Sequence, residues 1–274
     1  MTKTWAINST VRFAPLFTEQ AVWVRNIITG ITQPYIVAKS TAKAIKGVVV
    51  DGISATKFDL PIIRELEAIG VIFDDSSIQS AKDSWGLHLE KAKTEIQQQL
   101  WTVVRGLYNP AGAPAFRTWV EHSRRFRKDF KDGDDLVANR INCHNDVLCR
   151  SFHAEFSKVL IPLFPEPVKR SYCYLGIYHG QAKLPKHTDR EQCRWNVSVV
   201  LDSSPEITNL NDSWPIYLEP VPSRHIRLTA VIGDAIIYRG DKIPHWRDSL
   251  PKRFTQVSIC FFHYVHEAFC GSLE

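Results

Sequence analysis

From about residue 167 the chain changes rhythm: apolar residues at alternate positions replace the three-and-four spacing that governs the preceding segment. Alternation puts successive side chains on opposite faces of a strand. Six runs of this kind can be read, Tyr172 to Tyr178, Trp195 to Leu201, Ile216 to Leu218, Ile226 to Ile232, Ala235 to Tyr238 and Thr255 to Tyr264, with turn residues between them. Strands this short and closely spaced predict a sandwich or barrel, and roughly eight, the jelly-roll number, would fit the residues available.

Before that point the pattern is helical. Ser84 to Tyr108 predicts a long helix with apolar positions at Leu87, Leu89, Ile96, Leu100, Val103, Val104 and Leu107. A second is expected over Phe116 to Phe130, and a third over Val147 to Leu160, ended by Pro162. Helices over 81–166 would support the β core from outside. Residues 1–80 read as a small α/β module. In it Thr41 to Lys46 forms a helix stopped by Gly47, Asp51-Gly52 a turn, Leu60 to Ile69 a helix capped by Gly70, and Val71-Ile72-Phe73 a short strand. Its element order looks like a winged-helix-type module, which would dock a peptide by strand addition; the other reading is an extension packed on the core.

With 274 residues, 44% hydrophobic and 23% charged, the chain has the composition of a folded globular protein. The longest apolar stretch, Ala230 to Ile237, is broken by Gly233 and Asp234 and is far shorter than the ~20 residues of a membrane span. The N-terminus shows no basic segment with an apolar run, so a cytoplasmic location is expected. Six cysteines without a CxxC pair then read as reduced packing thiols. The net charge of +5 suits an anionic cosubstrate and is too weak to call for nucleic acid. The densest basic run, Arg124, Arg125, Arg127, Lys128 and Lys131, is expected to be a solvated helix face with Phe126 and Phe130 turned inward.

Candidate chemistry gathers in the β region. His187 and Asp189 stand two apart before an apolar strand, so on an extended chain both reach one cation from the same side. A distal His245 follows the turn Gly240-Asp241-Lys242-Ile243-Pro244. Two histidines and one carboxylate make a facial triad, which leaves three open positions on an octahedral iron(II). Beyond it, Arg253 and Thr255 share strand parity and would clamp a carboxylate, with Lys252 or Arg247 next in line. A competing pair, His144 and Asp146, falls where a helix or loop would point them apart. The remaining histidines, including His153 and His263, are expected to be packing or surface residues.

The order HxD, distal His, then Arg with Thr two beyond resembles the 2-oxoglutarate and iron(II) dioxygenase superfamily, most like its prolyl-hydroxylase-type members, over about Tyr172 to Tyr264. The resemblance implies an α+β protein whose core is a double-stranded β-helix (jelly roll, cupin-like) over 167–274. It implies Fe(II) on His187, Asp189 and His245, with 2-oxoglutarate held by Arg253, Thr255 and Tyr178. The reaction implied takes up O2 and hydroxylates an amino acid, peptide or related small molecule, releasing succinate and CO2. Asp189 argues against halogenation, because the related halogenases lack the carboxylate. Arg190, Arg194, Asn196 and Trp246 are candidates to grip the substrate or, equally, an outward polar face. Two other classes stay open: a non-catalytic cupin-like binding protein, and a nucleic-acid demethylase, which should carry a stronger basic groove and more stacking aromatics.

Overall fold

The computed structural model describes residues 5–13 and 21–273; Met1 to Thr4, on which the expectation of no secretory signal rests in part, lie outside them. The chain divides into two compact units, 1–88 with 111–123, and 89–110 with 124–274.

In the first unit β1 (Trp5–Ile7) pairs antiparallel with β5 (Ile72–Asp74). Strands β2 (Arg12–Phe13), β3 (Ala21–Arg25) and β4 (Thr32–Ile36) form an antiparallel sheet in that order. Helices α1 (Lys39–Val49) and α2 (Leu60–Ala68) supply Ile45, Val48 and Leu66 to a core shared with Val22, Val24 and Tyr35. Helix α1 runs through Gly47 instead of stopping there. A Cβ at Gly47 would meet Ile53 at 3.2 Å and Phe58 at 3.4 Å, so this glycine serves close packing inside a helix. Gly70, at φ +75°, does end its helix: its N–H bonds Glu67 O and the N–H of Val71 bonds Leu66 O.

Helix α3 (Ile78–Gln99) is followed directly by strand β6 (Trp101–Val104), which corrects the long helix expected to run to Tyr108. The chain turns at Leu100, φ +65°, and Trp101-Thr102-Val103-Val104 is a β-branched and aromatic run that gains ladder bonds by pairing with a later strand. Helix α4 (Ala113–Phe126) also stops short of Phe130, and Phe126 is 74% exposed instead of turned inward. Arg127 is not a solvated residue of a helix face, because it pairs with Asp129 and, at 2.7 Å, with Asp146.

The second unit is a sandwich of two antiparallel sheets. The large sheet contains β7 (Lys131–Asp132), β8 (Arg140–His144), β9 (Val168–His179), β11 (Trp195–Ser204), β14 (Ala235–Tyr238) and β16 (Gln256–His266), in the order β6-β14-β11-β16-β9-β8-β7. The small sheet contains β10 (Leu184–His187), β12 (Ile216–Val221), β13 (Arg224–Leu228) and β15 (His245–Arg247), in the order β10-β15-β12-β13. The eight strands β9 to β16 are the jelly-roll set.

Parity along β16 assigns the faces of the large sheet. Phe262 and Tyr264 turn to helix α5 (Val147–Leu160), where Phe156 and His153 meet their rings and Ser157 Oγ lies 2.9 Å from Tyr264 Oη. Phe261 and His263 turn the other way, together with their cross-strand partners Ser198 and Asn196 on β11. That inner face is polar and aromatic where a sandwich core is ordinarily aliphatic, since it also carries Arg140, Tyr174 and Tyr178. Five of the six cysteines are buried and all are free, which agrees with packing thiols.

Burial on the outer face makes one pH prediction. The His153 imidazole is pushed down to about 3 by burial, with the charge of Arg170 adding to it. A histidine whose folded value is depressed stabilises the fold above its unfolded value of about 6.5, and that contribution is lost as pH falls below it. Thermal midpoints should therefore fall as pH drops from about 6.5 toward 4, and His153→Phe should flatten the slope. An equally steep slope in that variant would remove His153 as its source.

Candidate metal centre and its cavity

His187 ends β10, His245 opens β15, and these antiparallel neighbours face each other in register. Asp189 lies two residues past His187, fixed by its N–H on Gly240 O at 2.8 Å. The result is convergent: His187 Nε2 is 3.5 Å and His245 Nε2 3.6 Å from Asp189 Oδ1, and the three ligand atoms all lie within 4.8 Å of one another.

Both imidazoles are oriented in the same way. Nδ1 of His187 donates to Pro185 O at 2.9 Å and Nδ1 of His245 to Ile243 O at 3.0 Å, each a carbonyl two residues back. A proton held on Nδ1 leaves the Nε2 lone pair directed at Asp189, as a metal ligand requires. Asp189 Oδ2 accepts from Asn196 Nδ2 at 3.1 Å, which leaves Oδ1 on the side of the histidines. Burial raises the Asp189 carboxyl, but His187, His245 and His263 with the Asn196 amide outweigh it and bring it down to about 2. The carboxylate is thus ionised at neutral pH. Burial pushes His245 down, which favours the neutral ring that could coordinate a metal. His187 is raised despite burial because Asp189 and the Pro185 carbonyl bond its protonated form, so a metal bound there would compete with a proton.

Gly240 makes room for this arrangement. A Cβ on it would stand 2.2 Å from Asp189 Oδ2 and 2.8 Å from Cys193 O, so no other residue fits beside the carboxylate. The three ligands open onto a cavity of about 450 Å³ whose opposite wall is the large sheet, with Tyr172, Asn196, Phe261 and His263 in its lining.

The competing pair is structural. His144 ends β8, whereas Asp146 caps α5 by accepting from Leu148 and Cys149 N–H. Arg253 and Thr255 are not brought to the cavity: they are exposed on the turn before β16, where Arg253 donates to Asp212 O and Thr255 to Ser204 O. Arg194 grips Glu166 through two bonds of 2.7 and 2.6 Å, and Trp246 lies on the outer face of the small sheet, stacked on Tyr217 at 5.4 Å. Arg190 does reach the cavity rim, over the Tyr172 ring at 5.0 Å. Tyr178 is buried on the inner face and accepts from Arg140 Nη1 at 2.8 Å.

Three arginines are buried among the described residues, Arg140, Arg239 and Arg247, and the most deeply enclosed is Arg247, on β15 two residues beyond His245 and therefore on the same face. It is 1% exposed, and Nη1 donates to Trp214 O at 2.5 Å. Ser198 Oγ is 3.4 Å from Nη2, the guanidinium lies over the Trp214 ring at 5.0 Å, and Nε has no partner. Burial pushes its pKa down, opposed by the nearby Tyr178 and Tyr238 hydroxyls and by no carboxylate among the described residues. A buried cation without a counter-ion, carrying an orphaned donor, fits the far carboxylate of a dicarboxylic acid reaching inward from the metal ligands. The sequence signal for it is the His-x-Arg spacing, read by the same parity that linked His187 to Asp189.

No protein-family profile matches this chain, and no curated protein matches it. Solved structures do. A Pseudomonas putida prolyl-4-hydroxylase superposes with a TM-score of 0.50 over 64% of this chain and 98% of its own, at 13% identity. A Trichoplax adhaerens prolyl hydroxylase in complex with a hypoxia inducible factor peptide fragment gives 0.52 over 68% and 92%, at 10%. The fold is that of the prolyl hydroxylases. HygX from Streptomyces hygroscopicus, solved with nickel, 2-oxoglutarate and hygromycin B, gives 0.50 over 65% and 88%, at 11%. With this prolyl-hydroxylase fold, the paired strands β10 and β15, the second carrying both His245 and Arg247, belong to one β-sandwich.

Proposed function

We propose that this chain is an iron(II)- and 2-oxoglutarate-dependent oxygenase that hydroxylates an unactivated C–H bond of an amino acid, a peptide or a related small molecule. The observation that carries this reading is the convergence of His187, Asp189 and His245 at the mouth of a cavity, with Arg247 buried behind them on the strand of His245. Iron(II) chelated by 2-oxoglutarate would supply the oxidising power, consuming O2 and releasing succinate and CO2.

The protein's own part is positional. His187, Asp189 and His245 would hold the iron from one side and leave positions free for the cosubstrate and O2. Arg247 would pair with the carboxylate remote from the iron, with Tyr178 and Ser198 beside it, while Asn196, bonded to Asp189 Oδ2, would keep Oδ1 turned to the metal. A peptide and hygromycin B, each bound in the structure of a protein of this fold, support a reading in which either class of molecule is the substrate.

The reading is tested without knowing the substrate, because oxygenases of this chemistry turn over 2-oxoglutarate slowly by themselves. Protein reconstituted with Fe(II) and exposed to O2 should form succinate from 2-oxoglutarate, and Asp189→Ala should lower the rate by about a hundredfold or more. Equal rates in both proteins would refute it.

A further inference from the structure

Two polar atoms of the cavity lining are buried without a hydrogen bond, Asn196 Oδ1 and His263 Nδ1. Their residues are cross-strand partners on β11 and β16, 2% and 4% exposed, and so stand side by side on the inner face.

The orientation of the Asn196 amide is not free. Its nitrogen donates to Asp189 Oδ2 at 3.1 Å and to Tyr238 Oη at 2.9 Å, and an ionised carboxylate only accepts. The amide oxygen is therefore the atom left over. It is an acceptor, and a buried acceptor calls for a donor. 2-Oxoglutarate offers only acceptor oxygens at neutral pH and cannot meet it. A substrate that enters the cavity can supply that donor.

The adjoining wall shows what shape that molecule has. His263 is parallel to Phe261, 8° apart with centroids at 6.4 Å, and meets Tyr172 at 4.7 Å. Tyr172 is in turn stacked with His144 at 5.3 Å and 18°. Burial pushes His263 down to about 4, so its ring is neutral and adds an aromatic face without repelling a ligand of either charge. These rings do not form one plane, since Tyr172 and His263 are tilted by 50°, but a wall lined by aromatic rings favours a flat π-system over a bulky aliphatic one.

Resting on the oxygenase reading, we infer that the substrate brings a planar ring with an N–H, of the indole or imidazole class, into this cavity. The ring lies on the wall formed by Tyr172, Phe261 and His263, and its N–H is donated to Asn196 Oδ1. Asn196 and the wall are thus the specificity determinants.

The test uses full-length protein loaded anaerobically with nickel(II) and 2-oxoglutarate, whose binding is measured first by titration calorimetry. The probes are the N-acetyl amides of tryptophan, histidine, leucine and 1-methyltryptophan, titrated into the loaded protein. The tryptophan or histidine amide should bind about tenfold more tightly than the leucine amide, and methylation of the indole nitrogen should cost about tenfold, or about 1.4 kcal/mol. Tyr172→Leu should erase the preference for the ring while 2-oxoglutarate affinity stays within about twofold of wild type. Equal affinities for the leucine and ring-bearing amides, or a 1-methyltryptophan amide that binds as well as its parent, would overturn the inference. Failure of nickel or 2-oxoglutarate to bind would instead overturn the oxygenase reading beneath it.

Discussion

Replacing Arg247 with methionine should weaken 2-oxoglutarate binding by about thirtyfold or more, whereas Arg253→Ala should leave it within about twofold. Truncating one side of a buried charge-assisted pair costs about 2 to 5 kcal/mol, and each 1.4 kcal/mol is a factor of ten. Arg247 is enclosed, free of carboxylates among the described residues, and on the face of β15 shared with His245. Methionine keeps much of the apolar stem over Trp214, so the loss reports on the charge. Fold stability should rise or stay level in the same variant, because a buried cation without a counter-ion costs desolvation in the free protein. Arg253 is exposed and spends its hydrogen bond on a backbone carbonyl, far from being a trapped charge. Anaerobic calorimetry on the two variants decides between them: a large loss in Arg253→Ala with none in Arg247→Met would return the clamp to the turn before β16.

Gly240→Ala is expected to be nearly as damaging, through sterics alone. Its methyl group would be built 2.2 Å from Asp189 Oδ2 and 3.0 Å from Asp189 Cγ, well inside any real contact. The neighbours cannot easily yield, because Asp189 N–H is bonded to Gly240 O and the Cys193 carbonyl closes the other side at 2.8 Å. Overpacking of this kind costs about 1 to 3 kcal/mol of stability, and a carboxylate turned off its axis should lower iron affinity by about a hundredfold. Metal stoichiometry together with a melting curve separates the two effects. A folded Gly240→Ala protein with a full complement of iron would show that Asp189 is not held as described.

The jelly-roll strands were legible as short apolar and aromatic runs bounded by turn residues, although β11, β14 and β16 are buried on both faces. The metal ligands were legible because His187 and Asp189 obey strand parity, and a turn rich in Gly and Pro marks the approach to His245. Parity was also where the carboxylate clamp was misplaced. Arg253 and Thr255 alternate correctly, but β16 begins only at Gln256, so both belong to a turn to which strand rules do not apply. His245 and Arg247 satisfy the same rule inside a real strand. Trp101 to Val104 was lost to a helix because Leu100, Val103, Val104 and Leu107 fit a helical stripe; only pairing with β14 reveals the strand. Asn196 could be named from its position after the HxD motif, yet its lone unpaired oxygen and the ring wall beside it arise from cross-strand register, which no single segment encodes.

That His187, Asp189 and His245 hold an iron chelated by 2-oxoglutarate can be read from a single anaerobic titration. Metal-free protein is given one equivalent of Fe(II) and then 2-oxoglutarate, and the visible charge-transfer band of the iron-bound keto acid is followed. The band should appear and saturate with the wild-type protein, and be absent from His245→Ala under the same conditions. A band of undiminished intensity in His245→Ala, or none in wild-type protein shown to be folded, would contradict the account.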